Sequence, residues 1–499
     1  MSLINITNLT FCYDGSYENV FENVSFQIDT NWRLGFTGRN GRGKTTFLRL
    51  LLGELEYSGA ISASVSFEYF PFDVADKQAD TGEIIAEIVG DYQEWELERE
   101  LSLLEVSPDV LARPFCTLSN GEQTKIMLTA LFLKENSFLL IDEPTNHLDI
   151  RARALLAGYL KSKRGFILVS HDREFFDSCV DHILSINRTN IELQKGNFSS
   201  WWDNKQSLDN YEQAENDRLQ KEVKKLSAAS KRAAAWSDKV EKSKHQPLKS
   251  GLSADKGYIG HKSAKMMKRS KAIETRQQAA IDEKSGLLKN IETAENLKIT
   301  PLVYHSARLV TLEDVAINYD GTTVCEGISF AVNRGERIAL SGRNGSGKSS
   351  ILKLIAGFDI AHSGICKVAG GLVISYVSQD TSNLHGDLRD YAEAGGIDES
   401  LFKAILRKLD FSREQFERDI KDFSGGQKKK VLIARSLCER AHLYIWDEPL
   451  NFIDVLSRMQ IETLIREHCP TMLLVEHDSA FIREIATQSV ELPSPMRRA

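Results

Sequence analysis

One eight-residue segment occurs twice in this chain, 304 positions apart, and no other feature constrains the fold as strongly. Gly38-Arg39-Asn40-Gly41-Arg42-Gly43-Lys44-Thr45 returns as Gly342-Arg343-Asn344-Gly345-Ser346-Gly347-Lys348-Ser349. Ile141-Asp142-Glu143-Pro144 returns as Trp446-Asp447-Glu448-Pro449. The intervals repeat as well. Lys44 lies 75 residues before Ser119 and Lys348 76 before Ser424, while Asp142 precedes His171 by 29 and Asp447 precedes His477 by 30. Motifs that recur in one order and at one spacing mark two copies of a whole domain. At 499 residues the chain is also too long for a single core. The copies are expected at 1–198 and 301–499, separated by a segment of different character at 199–300.

A glycine-rich segment carries chemistry when a strand precedes it and a helix follows. Trp32–Thr37 and Arg337–Ser341 read as strands, and Thr45–Leu52 and Ser349–Ala356 as helices stopped by Gly53 and Gly357. The expected fold class is therefore α/β, two tandem phosphate-loop domains. The loop backbone can close around phosphates at a helix N-terminus. Lys44 and Lys348 reach the β- and γ-phosphates, Thr45 and Ser349 can ligate Mg²⁺, and Thr46 and Ser350 stand beside them. Phe138–Asp142 and Leu443–Asp447 are apolar runs that read as buried strands ending in a carboxylate. Asp142 and Asp447 are the expected holders of Mg²⁺. Glu143 and Glu448 sit where a carboxylate can orient the water that attacks the γ-phosphate. A lone Asp-Glu pair is more often a solvated turn, but not at the end of an apolar strand downstream of a phosphate loop.

Leu118-Ser119-Asn120-Gly121-Glu122-Gln123 and Phe423-Ser424-Gly425-Gly426-Gln427 each open a helix, and His171 and His477 follow the apolar strands Phe166–Val169 and Met472–Val475. This set resembles the ABC ATPases, with phosphate loop, signature, Asp-Glu and switch histidine in that family's order over about four fifths of the chain. The resemblance implies ATP and Mg²⁺ as cofactors and two composite sites within one monomer. One would join Lys44 to Ser424, Gly425, Gly426 and Gln427; the other would join Lys348 to Ser119, Asn120, Gly121 and Glu122. It also implies that His171 and His477 reach the γ-phosphate and that Tyr13 and Tyr319 stack on adenine, although alone each tyrosine is more often a packing residue. Gln379, in Tyr376-Val377-Ser378-Gln379, matches the family's Q-loop and its Mg²⁺ contact, whereas the first copy reads Tyr69-Phe70-Pro71-Phe72. Asn120 replaces a usual glycine, and Leu450-Asn451-Phe452-Ile453-Asp454 departs from Thr145-Asn146-His147-Leu148-Asp149. Unequal turnover at the two sites is the expectation.

No stretch approaches the roughly 18 consecutive apolar residues of a membrane-spanning helix. Residues Met1–Ile6 lack a leader pattern, and the last predicted strand falls close to residue 499. Neither a secretion signal nor a further C-terminal domain is expected, and the cytoplasm is the expected location. Seven cysteines without a CxxC fit reduced thiols.

Net charge separates the middle from the flanks. Residues 221–276 hold 16 Lys and Arg against 5 Asp and Glu, a surplus of 11, so with −7 overall the remainder carries −18. Leu219, Val223 and Leu226 give a helical period from Tyr211 to about Lys244, and a second runs from about Ser263 through Ile273, Ile281, Leu288 and Ile291. Glycines and Pro247 between them predict a helical hairpin with its turn near 246–260. Its tip would carry Trp236, Lys244, Lys249, Lys256, Tyr258, His261, Lys262, Lys265, Lys268, Arg269 and Lys271. A charge run is usually a solvated face, but interleaved aromatic and methionine residues suit an arm that enters folded RNA.

Tandem cassettes without membrane spans, joined by a basic hairpin, resemble the ABC-F family, whose form of the motif is Asp142-Glu143-Pro144-Thr145-Asn146-His147-Leu148-Asp149. Trp95–Leu101, Arg113-Pro114-Phe115 and Met267–Lys271 look most like the Lsa-type ribosomal-protection members. The resemblance implies binding at the E site of the 70S ribosome, a linker that reaches 23S rRNA and P-site tRNA, and displacement of lincosamide, streptogramin A and pleuromutilin drugs. A general ABC-F translation factor is the alternative, and a transporter's ATPase subunit a weaker one.

Overall fold

Strands without polar residues must be covered on both faces, and the apolar runs singled out above form the middle of two parallel sheets. The structure, a computed structural model, describes residues 2–15, 19–146, 148–187, 191–242, 297–319 and 322–493, together with part of 261–279. In the first copy the sheet runs Ser66–Phe70, Ser137–Asp142, Phe166–Val169, Arg33–Thr37, His182–Ile186, Ile191–Lys195, the last strand antiparallel. In the second it runs Ile374–Val377, Leu443–Asp447, Met472–Val475, Arg337–Ser341, Gln488–Glu491, all parallel. Phe138–Ile141 and Phe166–Val169 are at most 1% exposed. The strand before the phosphate loop begins at Arg33 rather than Trp32.

Each copy adds a three-stranded antiparallel sheet. Leu3–Phe11 lies between Phe21–Asp29 and Ser58–Ser62, and Arg308–Tyr319 between Thr322–Asn333 and His362–Val368. The parallel strands deliver the functional ends together. Asp142 pairs with Val169 and Phe36 with Val169; Asp447 pairs with Val475 and Leu340 with Val475. Loops leaving the C-terminal edge of neighbouring parallel strands form the usual ligand crevice of such sheets. Helix Lys44–Leu52 ends where Gly53, at φ 73°, caps the carbonyls of Arg49 and Leu50. Its counterpart is Lys348–Ile355.

The chain forms two units. Met1–Ile186, Ile191–Ser199 and Ala294–Ala499 make one, which holds both copies; Asn187–Asn190 and Ser200–Thr293 make the other. A helix of 45 residues, Phe198–Lys242, leads into the second unit and at 1.5 Å per residue is about 68 Å long. It starts well before Tyr211, because the stretch Asp203–Asn210 is almost wholly polar and offered no apolar period to read. His261, Lys265, Lys268 and Lys271 are helical and exposed. The expected turn, with Lys244, Lys249, Lys256 and Tyr258, lies outside the described residues, as do Lys262, Arg269 and the side chain of Trp236. Among the described residues no helix is long and apolar enough to cross a membrane.

Candidate active sites

Two of the loop glycines are there because nothing larger fits. Gly43, at φ 93°, would place a Cβ 2.5 Å from Cγ1 of Val20, and Gly347, at φ 84°, would place one 2.9 Å from Sγ of Cys325. Each precedes a lysine curled back into its own loop. Lys44 Nζ donates to the carbonyls of Gly38 and Arg39 at 2.7 and 3.1 Å and to Asn40 Oδ1 at 3.3 Å. Lys348 Nζ donates to Gly342 and Arg343, both at 2.9 Å. Burial lowers the pKa of both lysines, so an arriving phosphate would meet an ammonium already short of solvation.

The next residue addresses the carboxylate at the end of strand Ser137–Asp142 or Leu443–Asp447. Thr45 Oγ1 donates to Asp142 Oδ2 at 3.1 Å, and Ser349 Oγ to Asp447 Oδ1 at 3.0 Å. Burial raises both carboxyls, that of Asp447 to about 6. Asp447 Oδ2 is buried without a hydrogen-bond partner. A hydroxyl beside a carboxylate oxygen left bare is a donor set that fits Mg²⁺, a hard cation that takes oxygen ligands and completes its shell with water and phosphate. Sequence reasoning missed that Tyr69 also donates to Asp142 Oδ2, at 3.0 Å, whereas its counterpart, the buried Tyr376 hydroxyl, has no partner.

Glu143 and Glu448 have φ of 51° and 46°, in the left-handed region that non-glycine residues seldom occupy. Their backbone N–H groups donate to Val169 and Val475 at 2.9 and 3.0 Å, which bends the chain at the sheet edge. His171 Nε2 stands 3.4 Å from Glu143 Oε1, and His477 Nε2 stands 3.4 Å from Glu448 Oε1. There the likeness stops. Glu448 Oε2 accepts from Gln379 Nε2 and Asn451 Nδ2, both at 2.8 Å. Burial opposes its charge, but His477, Gln379 and Asn451 together hold its pKa down to about 2. Glu143 Oε1 is buried and accepts no hydrogen bond. Burial first, and the charge of Asp142 second, push Glu143 up to about 8. Phe72 occupies the Gln379 position and has nothing to donate. Burial, followed by Lys44, drives the His171 pKa well below its ordinary value.

Both signature serines are helix N-caps. Ser119 accepts from the N–H of Glu122, whose carboxylate accepts the Ser119 N–H at 2.9 Å and hydroxyl at 2.8 Å; Ser424 and Gln427 form the same capping box. The positive ends of helices Asn120–Leu133 and Gly425–Cys438 are thus free to face an anion. Each opens into a cavity shared with the opposite copy. Ser424, Gly425, Gly426 and Gln427 line one cavity of about 700 Å³ with Tyr13, Asn40, Lys44, Thr45, Thr46, Asp142, Glu143 and His171. Ser119, Asn120, Gly121 and Glu122 line another of about 700 Å³ with Asn344, Lys348, Ser349, Ser350, Gln379, Glu448 and His477. The copies are stitched by Asn40 Nδ2 donating to the carbonyl of Phe452 at 2.8 Å and Arg153 Nη1 donating to that of His477 at 3.1 Å.

Not every expected residue is brought in. Tyr13 shares a 2.7 Å hydrogen bond with Thr46 in the first cavity; Tyr319, which donates to Ser350 Oγ at 3.2 Å, does not line the second. Gly38, Arg39, Arg42, Gly342 and Ser346 shape the loops without facing the cavities. Asn120 is tolerated for a local reason. A Cβ on its counterpart Gly425 would sit 3.5 Å from the Phe452 ring, an ordinary contact, whereas one on Gly426 would lie 2.4 Å from the Phe452 carbonyl.

Fold and sites together define a tandem phosphate-loop ATPase whose two nucleotide cavities are each built by both copies. Comparison with known proteins agrees. The family described as ABC transporter matches residues 21–146 and 325–451, about half of the chain. Among curated relatives, the ribosome protection protein VmlR of Bacillus subtilis (strain 168) is 27% identical over 97% of this chain and 85% of its own length. The ABC transporter F family member 2 of Arabidopsis thaliana is 25% identical over 98% of this chain and 76% of its own. Among solved structures, the archaeal ribosome recycling factor aABCE1, in complex with the ribosomal stalk protein aP1, superimposes with a TM-score of 0.64 at 18% identity, covering 98% of this chain and 88% of the other. The chain belongs to the ABC transporter family of ATP-binding proteins, as an ATPase of the ABC-F type.

Proposed function

We propose that this ATPase works in the cytoplasm as a monomer on the 70S ribosome. ATP closes the two copies into a sandwich with high ribosome affinity, and hydrolysis reopens it. In this reading the chain enters the E site, its linker contacts 23S rRNA and P-site tRNA, and the basic tip displaces lincosamides, streptogramin A and pleuromutilins from the peptidyl transferase centre, as Lsa-type proteins do. The observation that carries the proposal is the charge partition, a segment of +11 set between cassettes that share −18. The overall likeness to a ribosome protection protein supports it.

The roles follow from the geometry. Lys44 and Lys348 would hold the β- and γ-phosphates, with the opposite signature helix facing the γ-phosphate. Mg²⁺ at Thr45 and Asp142, or at Ser349 and Asp447, would offset charge on the β- and γ-oxygens. At the second site the ionised Glu448 takes a proton from the attacking water as the bond to the β–γ bridging oxygen breaks, leaving ADP and phosphate. Gln379 and Asn451 aim that carboxylate, and His477, 3.4 Å from it, would reach the γ-phosphate. Glu143, held protonated near neutral pH, would serve the first site more slowly. Nucleotide acts by binding the closed state better than the open one.

Expression in a susceptible host tests the drug role. The minimum inhibitory concentration of all three drug classes should rise for the intact chain and not for the Lys44→Ala/Lys348→Ala variant. A general translation factor is favoured instead by the comparable similarity, 25% against 27% identity, to an F-family member whose name carries no protection role; unchanged inhibitory concentrations alongside ribosome binding would select it. A transporter subunit would instead associate with membranes and not with ribosomes.

A further inference from the structure

Leu104–Ser119 aligns with Leu409–Ser424 at a constant offset of 305, and so do the helices before them, so one copy serves as a control for the other. Lys403, Arg407, Phe411, Arg413, Phe416 and Glu417 line a cleft of about 610 Å³ on the second copy. The corresponding residues of the first are Glu98, Ser102, Val106, Pro108, Leu111 and Ala112, so every cation and both rings are particular to the second. The Arg407 guanidinium lies over the Phe416 ring at 5.5 Å, and Phe411, almost fully buried, backs that ring at 6.0 Å. Lys403 is tied to Glu399 at 2.5 Å. Arg407 and Arg413 are exposed, and among the described residues neither guanidinium makes an ion pair.

Two exposed guanidinium groups beside a supported aromatic ring meet the demands of an unstacked nucleotide, with phosphates on arginine and a base on the ring face. The setting sharpens the contrast, because the chain outside 221–276 is strongly acidic and would otherwise repel a polyanion. An acidic protein surface would use the cations but leave the ring unexplained. We infer that this cleft is an RNA-binding surface of the second cassette, with Arg407 and Arg413 on phosphates and Phe416 against a base. The inference rests on the ribosome reading above and adds a contact made by the second cassette itself.

The test compares two full-length chains, both carrying Glu143→Gln and Glu448→Gln, one of them also Arg407→Glu and Arg413→Glu. Each is sedimented with purified 70S ribosomes in ATP over a salt series, and separately titrated with protein-free ribosomal RNA. Charge reversal should weaken ribosome and RNA binding at least about tenfold and reduce the slope of log affinity against log salt by about 1.4, which corresponds to two phosphates at about 0.7 each. Arg407→Lys with Arg413→Lys should keep most of the affinity. Equal affinity of the two chains for ribosomes overturns the inference and leaves the ribosome reading standing. Binding by neither chain overturns both. Weaker ribosome binding with unchanged RNA binding assigns the cleft to an acidic protein surface and overturns the RNA assignment. If reversal lowers the thermal unfolding temperature, Arg407→Gln with Arg413→Gln decides in its place, with the same outcomes.

Discussion

Glu143→Gln and Glu448→Gln should differ in cost near neutral pH, and the difference should close as the medium becomes alkaline. With its pKa at about 8, roughly one Glu143 carboxyl in eleven is ionised at pH 7 and about nine in ten at pH 9, while Glu448, at about 2, is ionised throughout. ATP and Mg²⁺ bring the same charges to both sites and therefore preserve the separation between the two carboxyls. If turnover at each site follows the ionised fraction, the first site supplies about a tenth of the second site's rate at pH 7. Glu448→Gln should then cut steady-state hydrolysis about tenfold at pH 7, whereas Glu143→Gln should leave about nine tenths of it. At pH 9 each variant should retain about half, because the two sites become equivalent. The assay is phosphate release at saturating ATP across this range. Equal losses at pH 7, or a ratio of the two variants that does not move with pH, would refute the reasoning.

The same carboxyl gives a stability prediction. A folded-state pKa above that of a free glutamate means that stability present at low pH is lost as pH rises from about 4.5 towards about 8. Glu143→Gln should therefore raise the melting temperature at pH 8 and leave it unchanged at pH 4. Gly426→Ala puts a Cβ against the Phe452 carbonyl of the same copy and should reduce ATPase activity at least about a hundredfold at the first site by displacing that carbonyl from Asn40 of the other copy; Gly425→Ala should retain it. Lys430→Met strands the buried carboxylate of Asp454, 2.9 Å from Lys430 Nζ, and should cost about 3–5 kcal/mol in urea unfolding. Asn451→Ala removes one of the groups holding Glu448 ionised, so the acid limb of second-site hydrolysis should move to higher pH, measured in a Glu143→Gln background.

Much of this was legible because the chain repeats itself. Spacing placed Lys44 at the start of the helix after one strand and Asp142 at the end of another, and the short apolar runs could only be buried strands, since nothing polar interrupts them. Phe72 and Asn120 were visible departures, but their consequences were not. That Phe72 leaves Glu143 without a donor depends on Gln379 reaching Glu448 in the other copy, a contact across 69 residues. That a side chain fits at the position Asn120 holds depends on which of two adjacent glycines presses on Phe452 in the second copy. The left-handed backbone at Glu143 and Glu448 had no local signal, because tertiary bonding to Val169 and Val475 imposes it. The early start of helix Phe198–Lys242 escaped because polar residues supply no period.

The central claim, that ATP-closed cassettes make this chain a ribosome ligand, meets its most direct test in sedimentation of the Glu143→Gln/Glu448→Gln variant through a sucrose cushion with purified 70S ribosomes. At moderate salt the variant should pellet with ribosomes in ATP and stay in the supernatant in ADP. Failure to pellet in ATP, or equal pelleting with either nucleotide, would contradict it.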